Sequence, residues 1–218
     1  MSRQQSLPAR MMPRRLADRL RFDRARRAWR SADMVFVHIP KNAGVSISSV
    51  IYGRPLGHYS ASDIVRRDPE LLHQVYSFAV LRDPLQRAVS AYRFARAGST
   101  AEMGVAEPHR YQTPEFGNFD SFVGAWLVGQ NLDEVDGIFK TQSSYVVCEG
   151  RVAVRDLFCL SDLPPLTAML HSRMRADLVL DHRNATDKHI DVTVSAESVD
   201  LIRHIYRQDY DLIGAPSP

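Results

Sequence analysis

The stretch MVFVHIPKNAGVS, residues 34–46, decides how this chain folds. Residues 34–39 are nearly all apolar, which is typical of a central strand buried on both faces. Pro40 ends this run, and a polar turn containing Gly44 follows it. Apolar side chains then recur at helical spacing over residues 45–51. The sequence therefore predicts a buried strand, a turn and a helix in direct succession.

A second succession of the same kind begins with SFAVL, residues 77–81. The apolar run leads into Arg82, Asp83 and Pro84. Aspartate is a favoured N-cap residue, and proline is favoured at the first position of a helix. We therefore predict a second buried strand that ends at Arg82, with a helix that continues through Tyr92.

Strands that alternate with helices predict an α/β fold with three layers, in which helices flank a central parallel sheet on both faces. Ligands of such folds bind beyond the carboxyl ends of the strands, where both polar turns lie. The other predicted segments are helices at 14–30, 119–128, 163–170 and from Ser195 onward, a strand at 157–160, a long surface loop or lid at 98–118, and an irregular polar segment at 181–194.

The first turn has the chemistry of an anion-binding site. The start of a helix presents unpaired backbone N–H groups and the positive end of the helix dipole. Gly44 allows close backbone approach or a positive φ, Lys41 adds a positive charge, and Ser46 adds a hydroxyl donor. The lysine precedes the glycine, so the turn is not a Walker A motif. An ordinary strand-to-helix turn remains the alternative.

The second turn offers a phosphate ligand. Arg82 follows the strand directly, and its planar guanidinium can bind a phosphate through two hydrogen bonds. Ser90 lies two turns into the helix and can donate to the same group. Arg87 and Arg93 either shape the site or form ion pairs. The alternative is a capped helix with an arginine-rich exposed face.

Both turns resemble a known family. Residues 36–46 resemble the 5'-phosphosulfate-binding loop of sulfotransferases that use 3'-phosphoadenosine 5'-phosphosulfate (PAPS), of the Golgi carbohydrate type and its bacterial relatives. The usual form of that loop is H-I-P-K-T-x-G-T-S, and here Asn42 and Val45 replace its threonines. Residues 82–92 are similar to the 3'-phosphate segment R-[DN]-P-x-x-R-x-x-S-x-Y. The resemblance covers about residues 34–213 and implies a P-loop-like fold.

The resemblance implies that PAPS gives a sulfuryl group to an acceptor hydroxyl and leaves as 3'-phosphoadenosine 5'-phosphate, without a metal. A carbohydrate hydroxyl is the favoured acceptor, and lipid, peptide and small-metabolite hydroxyls stay open. The residues expected to bind the donor are Lys41, Asn42, Ala43, Gly44, Val45, Ser46, Arg82, Ser90 and Lys188, with Lys41 also acting in catalysis.

The resemblance also indicates a general base. Residues 57–64 are similar to the family stretch H-x-[ST]-A-x-D-I, and an imidazole that titrates near neutral pH is suited to taking a proton from a hydroxyl. We therefore expect His58 to be the catalytic base, with Asp63, Glu115 and His73 as weaker candidates. Gln142 and Arg87 are weaker candidates for contact with the acceptor.

Charge divides the 218 residues unevenly. Residues 1–30 carry a net charge of +8, and residues 31–218 carry −5. We expect a basic, partly helical N-terminal arm and a single catalytic domain over 31–218. The arm either meets an anionic partner or packs on the domain through Leu16, Leu20 and Trp29.

Hydropathy and cysteine content predict a cytoplasmic protein. No run of 18 apolar residues and no secretory signal is present, and the two cysteines, Cys148 and Cys159, are expected to be inert core residues.

Two other functions stay open. One is a P-loop-like nucleotide-dependent phosphotransferase, which would need a Walker A lysine and a carboxylate that holds a metal. The other is a nucleic-acid-binding protein that uses the basic arm, although the sequence contains no recognisable reading motif and we expect no nucleic-acid partner.

Overall fold

The computed structural model describes residues 13–98, 104–105, 107–174 and 192–214. The strands are β1 (Met34–Val37), β2 (Tyr76–Leu81), β3 (Val147–Cys148), β4 (Arg151–Val152) and β5 (Asp156–Cys159). The helices are α1 (Arg14–Ala32), α2 (Gly44–Tyr52), α3 (Ala61–Arg67), α4 (Leu71–Gln74), α5 (Pro84–Ala97), α6 (Phe119–Ser121), α7 (Ser143–Val146), α8 (Leu163–Met174), α9 (Ala196–Ile205) and α10 (Arg207–Gly214).

The main sheet is parallel, with the strand order β1–β2–β5, and helices flank it. Val37 pairs with Ala79, and Leu81 pairs with Cys159. The predicted α/β class is therefore confirmed. The prediction of a central strand at 34–39 is wrong, because β2 is central and β1 lies at an edge of the sheet that the described residues form.

The hydroxyl of Tyr52, at the end of α2, forms hydrogen bonds with the outer edge of β1. It accepts a hydrogen bond from the backbone N–H of Phe36 over 2.9 Å and donates to the carbonyl of Met34 over 3.1 Å. Two backbone groups that a sheet edge would otherwise leave unpaired are thus satisfied. This explains how an edge strand is buried along its whole length.

Helices cover both faces of the sheet. On one face, side chains of α1, α3 and α4 pack against Val35, Val37, Ala79 and Leu81. On the other face, α2 and α8 pack against the alternate positions of the same strands. These contacts make the three layers: Ile47 and Ile51 of α2 and Leu166 and Leu170 of α8 meet Phe36, Phe78 and Val80.

The arginine-rich helix α1 belongs to this core. It forms where a helix was predicted, and its buried side chains Phe22, Ala25 and Trp29 join the cluster that contains β1. The expected contacts of Leu16 and Leu20 are wrong, since these side chains are 46% and 36% exposed. At 100° per residue, Leu20 lies about 200° around the helix from Phe22 and so faces another direction.

The segment after α5 is more compact than a surface loop. Within the described residues of 98–118, short 3₁₀-helices at Pro108–Tyr111 and Pro114–Phe116 bury Tyr111 and Phe116. The helix predicted at 119–128 is α6 followed by a π-helical turn, Phe122–Trp126, and a 3₁₀ turn. Together with α5 and α9, this segment forms an aromatic cluster.

Several smaller predictions have clear outcomes. The third strand is β5, and Ser195 caps α9 by accepting a hydrogen bond from the N–H of Ser198. Cys148 and Cys159 are half-buried free thiols, so their placement in the core was wrong. In the part of the chain that the structure describes, no helix is long and apolar enough to cross a bilayer.

Candidate anion-binding site

The turn between β1 and α2 has an unusual backbone. Lys41 and Ala43 adopt left-handed conformations, with φ of 71° and 57°. Such conformations cost a non-glycine residue on the order of 1–3 kcal/mol and are concentrated at functional sites. Left-handed residues within a turn also direct successive N–H groups into one concave surface, which suits an anion.

Gly44 serves close packing here and has no positive φ. A Cβ built on Gly44 would lie 1.8 Å from a carbon of the His38 ring, so any side chain at this position would collide with that imidazole. Of the two roles expected for Gly44, close approach is therefore the one that the structure supports. The first turn of α2 rests directly on His38.

The N-terminus of α2 has no side-chain cap. Ala43 occupies the N-cap position, and its side chain makes no capping hydrogen bond. The start of α2 therefore directs the positive end of the helix dipole toward the turn. The position of this helix start beside Lys41 fits the anion-binding role predicted for residues 43–46.

Lys41 lies in a cluster of cations. Its Nζ is 4.0 Å from the centroid of the Phe94 ring on α5, a cation–π contact that holds the side chain in place. Burial, and to a smaller extent the positive charges of Arg82 and Arg87, lower the pKa of Lys41 to about 8. Most Lys41 side chains are thus protonated at pH 7, in surroundings that disfavour the charge and would gain from an anion.

The two predicted turns meet at Arg82. Because β1 and β2 are neighbours in the parallel sheet, Arg82 follows β2 beside the turn that follows β1. Its Nη1 donates to the carbonyl of Lys41 over 3.2 Å. Its Nε is buried and has no hydrogen-bond partner among the described residues. Burial lowers the pKa of Arg82, and the nearby Asp83 carboxylate opposes that effect.

Asn42 and Gln142 join the two turns from behind. Asn42 Nδ2 donates to the carbonyl of Val80 and to Oε1 of Gln142, and both side chains are fully buried. Gln142 Oε1 also accepts from the Arg82 N–H, and Nε2 donates to the Arg82 carbonyl. The side chain of Gln142 therefore supports the turns from inside the protein, and its contact with an acceptor stays a prediction. Asn42 can serve an anion only through its backbone.

Arg87 stabilises the turn between β1 and α2 through a hydrogen bond to the backbone of that turn. It is 2% exposed, and it donates from Nε to the carbonyl of Pro40 and from Nη1 to the carbonyl of Lys140. Its Nη2 is buried and has no hydrogen-bond partner among the described residues, and contact between Arg87 and an acceptor stays a prediction. Its positive charge still acts on Lys41.

His58 lies against His38. The two ring centroids are 4.2 Å apart, and His58 Nδ1 is 3.1 Å from the carbonyl oxygen of His38. Since a carbonyl oxygen only accepts, Nδ1 carries the proton and Nε2 is the basic nitrogen. Burial of the ring against its neighbour lowers the pKa of His58, although the Asp136 carboxylate and the hydrogen bond to His38 raise it. Although part of its ring is covered by His38, His58 is an exposed residue.

The other predicted residues have different outcomes. Ser46 on α2 and Ser90 on α5 are both buried at the side of the sheet where the turns lie. Lys188 lies outside the described residues. Among the residues that are described, no three metal-binding side chains of the His, Cys, Asp and Glu types lie together.

Comparison of the chain with models of known families, with curated proteins and with solved structures finds no match. The geometry of the site is therefore the basis for proposing a function.

Sequence reasoning missed three residues of this site. Phe94, which lies beneath the Lys41 ammonium, and His38, which supports Gly44, were assigned no contact there. The third is Asp209, whose carboxylate accepts hydrogen bonds from the N–H groups of Gln142 and Ser143.

Proposed function

We propose that this protein is a PAPS-dependent sulfotransferase that acts on an acceptor hydroxyl. The observation that carries the proposal is the contact between the two turns, where Arg82 Nη1 donates to the Lys41 carbonyl. Two separate segments that resemble the two phosphate-binding parts of one nucleotide site are thus adjacent, at the carboxyl ends of neighbouring strands.

The chain's own groups have distinct tasks in this proposal. The N–H groups of residues 43–46 and the Lys41 ammonium bind the 5'-phosphosulfate, and Arg82 with Ser90 holds the 3'-phosphate. Fixing both ends of the donor orients its sulfur toward the acceptor. Each preorganised donor at the developing charge contributes about 3–4 kcal/mol to transition-state stabilisation.

Transfer requires the acceptor to lose a proton. The acceptor oxygen forms a bond to sulfur while the bond from sulfur to the bridging oxygen breaks. The bonding electrons stay with that oxygen, whose negative charge Lys41 offsets, and 3'-phosphoadenosine 5'-phosphate leaves. The acceptor proton moves to Nε2 of His58, the nitrogen left basic by the hydrogen bond of Nδ1 to His38.

We propose a carbohydrate hydroxyl as the acceptor, because the family resemblance favours it. We propose a cytoplasmic location from the hydropathy and the cysteine content. A screen with radiolabelled PAPS against glycans and metabolites tests the choice of acceptor directly. Label transferred to a sugar supports the proposal, and label transferred only to other classes of hydroxyl contradicts the choice of acceptor.

Calorimetric titration separates the two candidate enzymes. The sulfotransferase proposal expects 3'-phosphoadenosine 5'-phosphate to bind without metal and Arg82→Ala to weaken its binding at least about tenfold. Arg151→Ala, at an exposed position on β4, is the matched control. Saturable binding of ATP–Mg²⁺ with no binding of 3'-phosphoadenosine 5'-phosphate would favour the phosphotransferase instead.

A further inference from the structure

A cavity of about 450 Å³ lies between α1, the segment 54–59 and α3. This volume is in the range of pockets that bind small molecules. Residues 41–46 do not line it, so it is distinct from the anion-binding turn. Its wall from α1 also lies outside the part of the sequence that carries the family resemblance.

The cavity has a surplus of positive charge. Its charged lining consists of Arg21, Arg24, Arg54, Arg67, Asp18 and Asp63, together with His58.

Both carboxylates of the lining are already engaged. Asp18 pairs with Arg21 over 3.1 Å, and Asp63 pairs with Arg66, which does not line the cavity. Among the described residues, no ion pair involves Arg24, Arg54 or Arg67. Three guanidinium groups therefore line the cavity with no ion pair to a carboxylate of the described residues.

The arginines are also partly organised. The Arg67 guanidinium lies over the Phe22 ring, with 4.9 Å between its carbon and the ring centroid. Phe22 is buried in the core, and its ring makes edge contacts with Trp29 and Tyr59. Arg24 lies on the same helix, two residues after Phe22. A bound anion would therefore meet the Arg67 guanidinium in a position that the fold already restricts.

The cavity reaches the proposed reaction centre through two imidazoles. His58 lines the cavity and contacts His38 at a tilted angle, with 4.2 Å between the ring centroids, and His38 in turn lies against Gly44 at the start of α2. Only His58 and His38 therefore separate a molecule in the cavity from the turn that we propose binds the phosphosulfate. Its hydroxyl would lie beside the proposed base.

We propose that this cavity is the acceptor site, and that the acceptor is a compact molecule bearing a hydroxyl and at least one carboxylate, sulfate or phosphate group. The inference rests on the proposed function and adds the charge and size of the acceptor. Arg24, Arg54 and Arg67 bind the anionic group, and His58 receives the hydroxyl.

An anionic membrane surface is a less suitable occupant. A helix that binds a bilayer interface needs an apolar face to insert. The apolar face of α1 formed by Phe22, Ala25 and Trp29 is buried against the sheet. The charges line a concavity, which favours a small soluble anion.

The test uses glucose 6-phosphate as an acidic probe and glucose as its neutral match. Each is titrated by calorimetry into the full chain, alone and saturated with 3'-phosphoadenosine 5'-phosphate. The variants are Arg24→Gln/Arg54→Gln, at two exposed positions, and Arg151→Gln as a control for loss of charge on β4. Titration of 3'-phosphoadenosine 5'-phosphate alone tests the proposed function separately.

We expect saturable binding of glucose 6-phosphate, no binding of glucose, and at least about tenfold weaker binding to the double variant. Arg151→Gln should bind like the wild type, and the double variant should bind 3'-phosphoadenosine 5'-phosphate normally. The inference is overturned if glucose 6-phosphate does not bind by about 10 mM, binds the double variant equally, or is displaced by 3'-phosphoadenosine 5'-phosphate.

The two proposals can fail separately. If 3'-phosphoadenosine 5'-phosphate does not bind while glucose 6-phosphate does, the sulfotransferase function and the acceptor role are both overturned. If 3'-phosphoadenosine 5'-phosphate binds but the arginine substitutions leave the binding of glucose 6-phosphate unchanged, only the acceptor inference is overturned.

Discussion

Asn42 donates a hydrogen bond of 2.7 Å to Gln142, a residue 100 positions away, and neither side chain is exposed. Through Gln142 this contact fixes the backbone on both sides of Arg82. This buried amide pair therefore joins the two turns from behind, in addition to the bonds that Arg82 and Arg87 donate to the first turn.

Removal of the Gln142 side-chain amide should destabilise the protein strongly. Gln142→Ala leaves the Arg82 N–H, the Arg82 carbonyl and one of the two N–H groups of the Asn42 amide without partners, at about 1–3 kcal/mol for each unpaired group. We expect the free energy of unfolding, measured by urea titration, to fall by about 3 kcal/mol or more. Gln86→Ala, at an exposed position on α5, should change it by less than about 0.5 kcal/mol.

A double-mutant cycle isolates the contact itself. We expect Asn42→Ala and Gln142→Ala to be non-additive, with a coupling energy of about 0.5–3 kcal/mol. Additive effects would mean that the two amides stabilise the fold independently.

Loss of the Lys41 ammonium should affect turnover more than donor binding. Lys41→Ala removes the charge that offsets the leaving oxygen, while Arg82 and the turn's N–H groups stay in place. We expect kcat to fall about 10²–10³-fold, with a much smaller change in the Kd of 3'-phosphoadenosine 5'-phosphate. Lys140→Ala is the control, because the Lys140 Nζ donates to the Asp133 carbonyl and Lys140 lies away from Lys41 in the sequence. Normal turnover by Lys41→Ala would remove Lys41 from the mechanism.

Donor affinity should decline in alkaline solution. The pKa of Lys41 is lowered to about 8, so the free protein loses this charge above that pH. A bound anion favours the protonated form, and binding above pH 8 must therefore take up a proton. We expect the affinity for 3'-phosphoadenosine 5'-phosphate, measured by calorimetry from pH 7 to 10, to fall above pH 8 and to level off near that of Lys41→Ala, a total loss of about tenfold or less.

Lys41→Arg provides the matched control, because arginine stays protonated throughout this range. Its affinity should vary little between pH 8 and 10. An equal decline in this variant would assign the effect to another group.

Acid should destabilise the fold through His38. This imidazole is 4% exposed, and burial, with a smaller effect of the His58 charge, lowers its pKa well below 6.5. In the window between the lowered pKa and 6.5, the unfolded chain binds more protons than the folded one, so stability falls as pH falls. We expect thermal melts from pH 7.5 to 5 to show this decline.

His38→Gln is the comparison for that experiment, since glutamine does not titrate there. The variant should be less stable at pH 7.5 but should lose less stability on acidification. A decline as steep as that of the wild type would show that other groups cause it.

Local rules account for the parts of the fold that the sequence predicted. The N-cap role of Asp83 and the start of a helix at Ser195 depend on a few neighbouring residues, and the structure contains both. Burial of residues 34–37 was also readable from their composition, but the place of β1 in the sheet depends on partners far along the chain. From burial on both faces, the sequence therefore indicated wrongly that β1 lies in the centre of the sheet.

The site shows the same division. The sequence indicates an anion-binding turn at residues 41–46, because residue type and spacing determine it locally. The contacts that Gln142 and Arg87 make depend on the packing of distant segments, so the sequence did not predict that both support the turn. The cavity lined by α1 was not predictable, since it forms only when that helix packs beside residues 54–59.

The hydroxyl of Tyr52 has a consequence for how copies of the protein behave together. It occupies a donor and an acceptor on β1 that would otherwise serve as a template for a strand from another molecule. A single oxygen atom at the end of α2 thus occupies the two groups through which another strand would pair, and a phenylalanine in its place would leave both without this partner.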